Sequence, residues 1–196
     1  MSKVKLDHIV IVDVESTCWE GNPPPGQQSE IIQIGAWVFN NVEDLKDFAV
    51  PSTTNIYVKP TISTISEFCT ELTGITEEKI KKEGVSFQEA CAQLKWEMRT
   101  HKRIWASYGA YDRIMFQNQC QREGVKYPFS TRHLNIKTLF ALSQGLKYEV
   151  GMITALEMLG IKKPIGNHHN AQDDACNMLP ILGYILSRLT PEKPKE

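Results

Sequence analysis

Asp13 and Glu15 stand two residues apart at the end of the aliphatic run His8-Ile-Val-Ile-Val-Asp13-Val-Glu15-Ser-Thr-Cys-Trp19. Side chains of a strand alternate faces, so both carboxylates point the same way, close enough to hold one or two hard cations. A buried strand does not carry acids cheaply. An unpaired charge in apolar surroundings must meet water, a partner or a metal. Asp112 falls at a helix start, and His168-His169-Asn-Ala-Gln-Asp173-Asp174 sets two imidazoles just ahead of two carboxylates. Taken singly, the three later acids have an ordinary reading, because Asp favours helix N-termini through capping and the macrodipole. Brought together, four carboxylates and an imidazole suit metal-assisted hydrolysis. Oxygen donors select Mg²⁺ or Mn²⁺, and a histidine titrating at about 6.5 can accept a proton at neutral pH.

The elements that must position these groups follow an α/β order. The strand ending at Asp13 and Glu15 is followed by the turn-rich loop Glu20–Ser29 with three consecutive prolines, which is placed to wall a cleft. A second strand over Glu30–Phe39 and a third over 55–59 complete a three-stranded meander. Short helices are predicted over Ser63–Glu71 and Thr76–Lys82, with Gly74 supplying a left-handed turn between them. The capping box Ser86-Phe-Gln-Glu89 opens a helix to about Arg99, whose apolar spacing makes Cys91 a core residue. Arg103–Ser107 reads as a strand leading into a helix over 111–122, closed by Gly124. Leu134–Leu142 reads as a strand or turn giving way to a helix, and another helix covers Met152–Leu159. From Ala171 one apolar face persists through Leu189, so Pro180 is predicted to bend this helix rather than end it. The tail 190–196 is expected to fray. Sites of α/β domains gather at strand ends and helix starts, where all the unusual acids fall.

With 196 residues and 41% hydrophobic content, a single domain with a sizeable core is expected, spanning the whole chain with its core over about 7–188. The net charge of −1 excludes a broadly basic nucleic-acid binder, so any polyanion site must be local. Five dispersed cysteines without a C-x-x-C pair argue against a disulfide framework and a structural zinc site, and favour a reducing, cytoplasmic setting. No segment has the length of a membrane span or the pattern of a signal peptide. No membrane partner is expected.

Asp13-x-Glu15, then Asp112, then His169-x-Ala171-x-x-Asp174 resembles, in order and spacing, the DEDDh 3′→5′ exonucleases of the RNase H-like fold. Val14-Glu15-Ser-Thr-Cys18, Gly21-Asn-Pro-Pro24, Glu30-Ile-Ile, Phe68-Cys-Thr-Glu-Leu-Thr-Gly-Ile-Thr76, Gln119-Cys120 and Asp173-Asp174-Ala-Cys-Asn177 narrow the resemblance to the histone-mRNA 3′ exonuclease branch, over about residues 7–188. It implies a mixed sheet, an antiparallel meander of three strands plus parallel strands, flanked by helices. It also implies release of nucleoside 5′-monophosphates from RNA 3′ ends with two divalent cations about 4 Å apart. Members of that branch often carry an accessory nucleic-acid-binding region that this sequence does not show, so single-stranded 3′ ends or short overhangs are the expected substrate. A general or DNA-directed exonuclease, or a non-catalytic nucleic-acid-binding module, would share the fold. A His/Asp phosphohydrolase would need further histidines, and His8, His101 and His133 fall in no pattern.

By the same resemblance, Asp13 would bridge both ions, Glu15 and Asp174 would ligate one directly, and Asp112 would hold the other partly through water. His169 would be the general base. Ser16 and Thr17 would face the terminal nucleotide, where a ribose 2′-OH tells RNA from DNA. Tyr111 is placed either to stack on a terminal base or to pack at its helix start. Leu72 and Ile75 would wedge against the last base, and Trp19 either lines the cleft or packs. His168, one residue out of register, is expected to be solvated or to touch substrate, and Asp173 to cap the helix or bond nearby backbone.

Overall fold

The computed structural model describes residues 4–40 and 53–189. Its centre is β1 (Lys5–Ser16), which pairs antiparallel with β2 (Ile31–Asn40) and parallel with β4 (Arg103–Ser107). Beyond these, β3 (Thr53–Tyr57) adds antiparallel to β2 and β5 (His133–Asn135) parallel to β4, giving the order β3-β2-β1-β4-β5. The meander-plus-parallel sheet expected of an RNase H-like domain is therefore present.

Period-two alternation in β1 decides what each face carries. Val10, Val12 and Val14 pack with residues of α3 (Phe87–Trp96) and α4 (Tyr111–Glu123), among them Phe87, Leu94 and Phe116. Ile9 and Ile11 pack on the other face with α5 (Ile136–Ser143), α6 (Met152–Met158) and α7 (Ala171–Leu189). Each of these buried aliphatic side chains contributes up to about 1.5–3 kcal/mol of transfer free energy. Asp13 and Glu15 continue the odd-numbered row, so the acids emerge beyond Ile11 on the face covered by α7.

Boundaries shift where local chemistry competes with periodicity. The first short helix, α1 (Glu67–Thr73), starts later than the pattern predicts. Ser66 caps it, while the Ser63 amide is already committed to the Glu30 carboxylate at 2.7 Å. Gly74 closes α1 in the left-handed conformation, as expected, and α2 (Glu77–Glu83) follows from the Thr76 cap. The capping box opens α3, but the helix ends at Trp96 rather than near Arg99. Arg99 has φ 53°, and a single 3₁₀ turn over Thr100–Lys102 follows, its Thr100 hydroxyl bonded to Leu94 and Pro128 carbonyls. The third strand ends at Tyr57, with Val58 making an isolated bridge to Val85.

α7 runs through Pro180 without interruption, because Met178, Ile181, Leu182 and Ile185 bury its apolar face on both sides of the proline. The tail 190–196 lies outside the described residues. Among the described residues no helix is long and apolar enough to cross a membrane.

Candidate active site

Three elements deliver acids to one edge of the sheet. β1 contributes Asp13 and Glu15, α7 contributes Asp174 in its first turn, and ligand oxygens of these three carboxylates lie within 4.8 Å of one another. Asp112 arrives separately, at the start of α4 immediately after β4, and its Oδ1 accepts the Val14 amide N–H at 3.0 Å. That bond ties the fourth acid to the strand carrying the first two. All four, with His168, His169, Tyr108, Tyr111 and Lys137, line a cleft of about 280 Å³.

Gly35 explains why α7 can begin so near β1. In the β1–β2 register it stands opposite Asp13, and a Cβ there would collide with the Ala171 carbonyl. The bare glycine lets the helix start rest on the strand beside the acids. Gln33 completes the seat, since its Oε1 accepts the Ala171 amide at 3.1 Å and its Nε2 donates to Asn170 Oδ1 at 3.4 Å. The segment ahead of α7 folds back through His169, which has φ 66° and donates its amide to Asp174 Oδ2 at 3.0 Å. Asp173 bonds nearby backbone, accepting the Asn167 amide at 2.9 Å.

Crowding of like charge is the main electrostatic feature. Burial, then the charges of Asp112, Asp174 and Glu15, pushes Asp13 well above the usual carboxylate range. Burial, then the charges of Asp174 and Asp112, raises Glu15 to about 8. Asp112 is raised only to about 6, because its own amide, the Val14 amide and the Ser107 hydroxyl stabilise its charge against burial. Such a cluster releases protons most readily to a cation, and its all-oxygen donor set fits a hard divalent ion. Burial, reinforced by His168, lowers the pKa of His169 below its usual value despite the opposing charge of Asp174. The His168 ring stacks on His169 at 4.1 Å, and its Nδ1 lies 3.2 and 3.1 Å from the two Asp174 oxygens.

The remaining candidate residues divide. Tyr111 is 53% exposed and its hydroxyl meets the Ser16 hydroxyl at 2.7 Å, linking the cleft wall to the end of β1. Thr17 is fully buried, its amide bonded to the Glu30 carbonyl at 2.8 Å and its hydroxyl to the Glu30 amide at 3.0 Å. Leu72 is exposed, whereas Ile75 is buried in a cluster with Ile32, Tyr57, Cys69 and Ile80; neither lines the cleft. The 20–29 loop and Trp19 contribute no lining residue either, and the end of that loop is tied instead to Ser63 and Thr64 through Gln28 and Gln27.

The exonuclease (RNase_T) family model matches residues 10–182. The chain belongs to this family. Within it, the nuclease domain of 3'hExo, a DEDDh family member bound to rAMP, superposes with a TM-score of 0.78 at 28% identity, covering 95% of this chain and 94% of that one. This places the chain among DEDDh 3'-5' exonucleases of the 3'hExo-like branch. Human 3'-5' exoribonuclease 1 is 33% identical over 188 residues, 89% of this chain and 51% of that protein. The 3'-5' exonuclease Snipper of Drosophila melanogaster is 26% identical, over 87% of this chain and 66% of its own length. The chain thus spans about half the length of the 3'-5' exoribonuclease 1 proteins it matches.

In this member of the family, Tyr108, Lys137, Gly151 and Met152 line the cleft although no motif marks them. They come from the turn after β4, the first turn of α5 and the start of α6. The parallel course of β1, β4 and β5 sends Tyr108 and Lys137, which follow β4 and β5, to the edge where the acids lie.

Proposed function

We propose that this chain is a metal-dependent 3′→5′ exoribonuclease that releases nucleoside 5′-monophosphates from single-stranded RNA 3′ ends. The observation that carries this reading is the meeting of Asp13, Glu15 and Asp174 oxygens within 4.8 Å, with Asp112 and His169 in the same cleft. The 3'hExo nuclease domain it resembles was solved with a ribonucleotide bound, which supports RNA as the substrate.

Asp13, Glu15 and Asp174 would hold one divalent cation, with Asp13 shared with a second that Asp112 holds. Two such ions, Mg²⁺ or Mn²⁺, would supply Lewis-acid stabilisation of charge at the scissile phosphate. His169 takes the proton from the attacking water. Its lowered pKa keeps it neutral, and so able to accept, at physiological pH. Tyr111, its hydroxyl held by the buried Ser16 hydroxyl, forms the wall against which the terminal nucleoside rests, and its exposed face offers a stacking surface. Five free cysteines fit a reducing, cytoplasmic setting.

The test is a 5′-labelled single-stranded RNA and its DNA counterpart, incubated with Mg²⁺, Mn²⁺ or EDTA. A metal-dependent ladder on RNA is expected, abolished by Asp13→Ala. His169→Ala is expected to slow it by roughly 10²–10⁴-fold, the usual contribution of a general base. Equal ladders on DNA would replace the assignment with a general 3′ exonuclease. Binding without shortening in either metal would make the chain a nucleic-acid-binding module.

A further inference from the structure

The four carboxylates of the cleft face a substrate that is itself a polyanion. Divalent cations answer for the scissile phosphate, but the phosphates upstream of it approach an acidic edge on a protein whose net charge is −1. Among the described residues lining the cleft, Lys137 is the one lysine or arginine. It is delivered there by the same device that delivers the acids. β5 runs parallel to β4 and β1, so α5, capped by Asn135, starts at the edge where Asp13, Glu15 and Asp112 lie. Two strand spacings, roughly 10 Å, separate β5 from β1, so Lys137 is anchored across the cleft from the acids rather than among them.

Its ammonium group is not spent elsewhere. Glu149 Oε2 stands 3.9 Å away, at the outer limit of an ion pair, and both side chains are partly solvated, at 34% and 43% exposure. The other Glu149 oxygen takes the Thr138 hydroxyl, which fixes the carboxylate beside the lysine without closing on it. An exposed pair of this kind contributes about 0–1 kcal/mol and yields readily to a better anion. The Lys137 stem runs beside Gly109 at the turn after β4, 4.0 Å from where a Cβ there would stand, an ordinary van der Waals distance.

We propose that Lys137 binds the RNA phosphate immediately upstream of the scissile one, offsetting the repulsion of the acidic edge and registering the strand for the next cleavage. The proposal rests on the nuclease reading above. It makes Lys137 a substrate-binding residue that a single phosphodiester would not need.

The experiment compares wild type, Lys137→Met and Lys137→Arg on two substrates: a single-stranded oligoribonucleotide of eight residues, and the p-nitrophenyl ester of thymidine 5′-monophosphate, which has one phosphodiester. Binding of a fluorescent form of the oligomer in Ca²⁺ is followed against salt. For Lys137→Met, KM on the oligomer is expected to rise about tenfold with kcat little changed, and the salt slope of log binding to fall by about one. The ester should be hydrolysed at the wild-type rate, and Lys137→Arg should retain most of the oligomer affinity. Equal losses on both substrates, or an unchanged KM and salt slope, would overturn the proposal. A wild type that binds the oligomer without shortening it removes the nuclease reading and leaves the salt slope to judge Lys137. A wild type that neither binds nor shortens it overturns both.

Discussion

His169 sits where three constraints meet. Its backbone is held at φ 66° with the amide on Asp174, its ring is stacked on His168, and burial lowers its pKa. As the proposed general base, His169 works only when neutral, so its protonation should remove activity. The acid limb of kcat/KM at saturating cation is therefore expected below the usual 6.5 of a histidine, with activity lost as pH falls through that limb. At limiting cation the limb should move upward, because protons compete with the metal for Glu15, whose pKa is about 8. A pH profile of oligomer hydrolysis at two Mg²⁺ concentrations separates the two. A limb that stays in place at both concentrations would remove Glu15 from the metal site.

At the scale of elements, two contacts hold the site in register, and each can be tested by substitution. Gly35→Ala puts a methyl group into the Ala171 carbonyl and must push α7 away from β2. A loss of about 2–3 kcal/mol in urea denaturation is expected, with nuclease activity falling further, since Asp174 and His169 move with the helix. Gly183→Ala offers the contrast. It lies inside α7, and a Cβ there would meet the Phe39 ring at an ordinary 3.6 Å, so a gain of about 0.5–1 kcal/mol is expected.

Glu30 is the second such contact, just ahead of β2. Its fully buried carboxylate accepts the Thr61, Ile62 and Ser63 amides and the Thr61 hydroxyl, with Arg122 at 3.6 Å. Burial opposes that charge, but the Thr61 bonds and the two further amides outweigh it and lower its pKa. Glu30→Gln would turn an amide donor toward backbone donors and should cost about 2–4 kcal/mol by urea denaturation. The sign follows from the lowered pKa: this stabilisation is present above the usual 4.5 and is lost as pH falls through the folded value, so wild type should lose more stability in acid than Glu30→Gln does.

For the whole molecule, the crowded acids should couple folding to pH and, through the proposed cation site, to divalent metal. Glu15 binds its proton more tightly folded than unfolded, so its contribution is complete below its usual 4.5 and is lost as pH rises towards about 8. His133, lowered to about 4 by burial and then by Arg113, acts in the opposite sense, but only below its usual 6.5. In EDTA, stability should therefore fall between about pH 6.5 and 8, by at most about 1.4 kcal/mol per pH unit for each proton released. Saturating Mg²⁺ or Mn²⁺ should reverse the trend and raise Tm more at pH 8 than at pH 6.5. Thermal scans of wild type and Glu15→Gln in EDTA and in Mg²⁺ check this. A cation effect of equal size in the variant at both pH values would count against the site.

The amino-acid sequence by itself determined the clustered acids and the order of the elements. Period-two alternation put Asp13 and Glu15 on one face, helix-start chemistry placed Asp112 and Asp174, and the resemblance to the DEDDh exonucleases singled out His169 and Asp174 within their doublets. Those signals are local, and they survived into the structure because each depends on only a few consecutive residues. Tertiary structure decided the rest. It buried Ile75 in the core and committed the Thr17 amide to the Glu30 carbonyl and the Thr17 hydroxyl, as acceptor, to the Glu30 amide. It tied the proline-rich loop to Ser63 and Thr64, and it brought Lys137 from 122 positions beyond Glu15 to the cleft. Which side chains share a cleft depends on strand order and on the close approach at Gly35 between β2 and α7. These are pairings between distant segments, for which no run of neighbouring residues carries a signal.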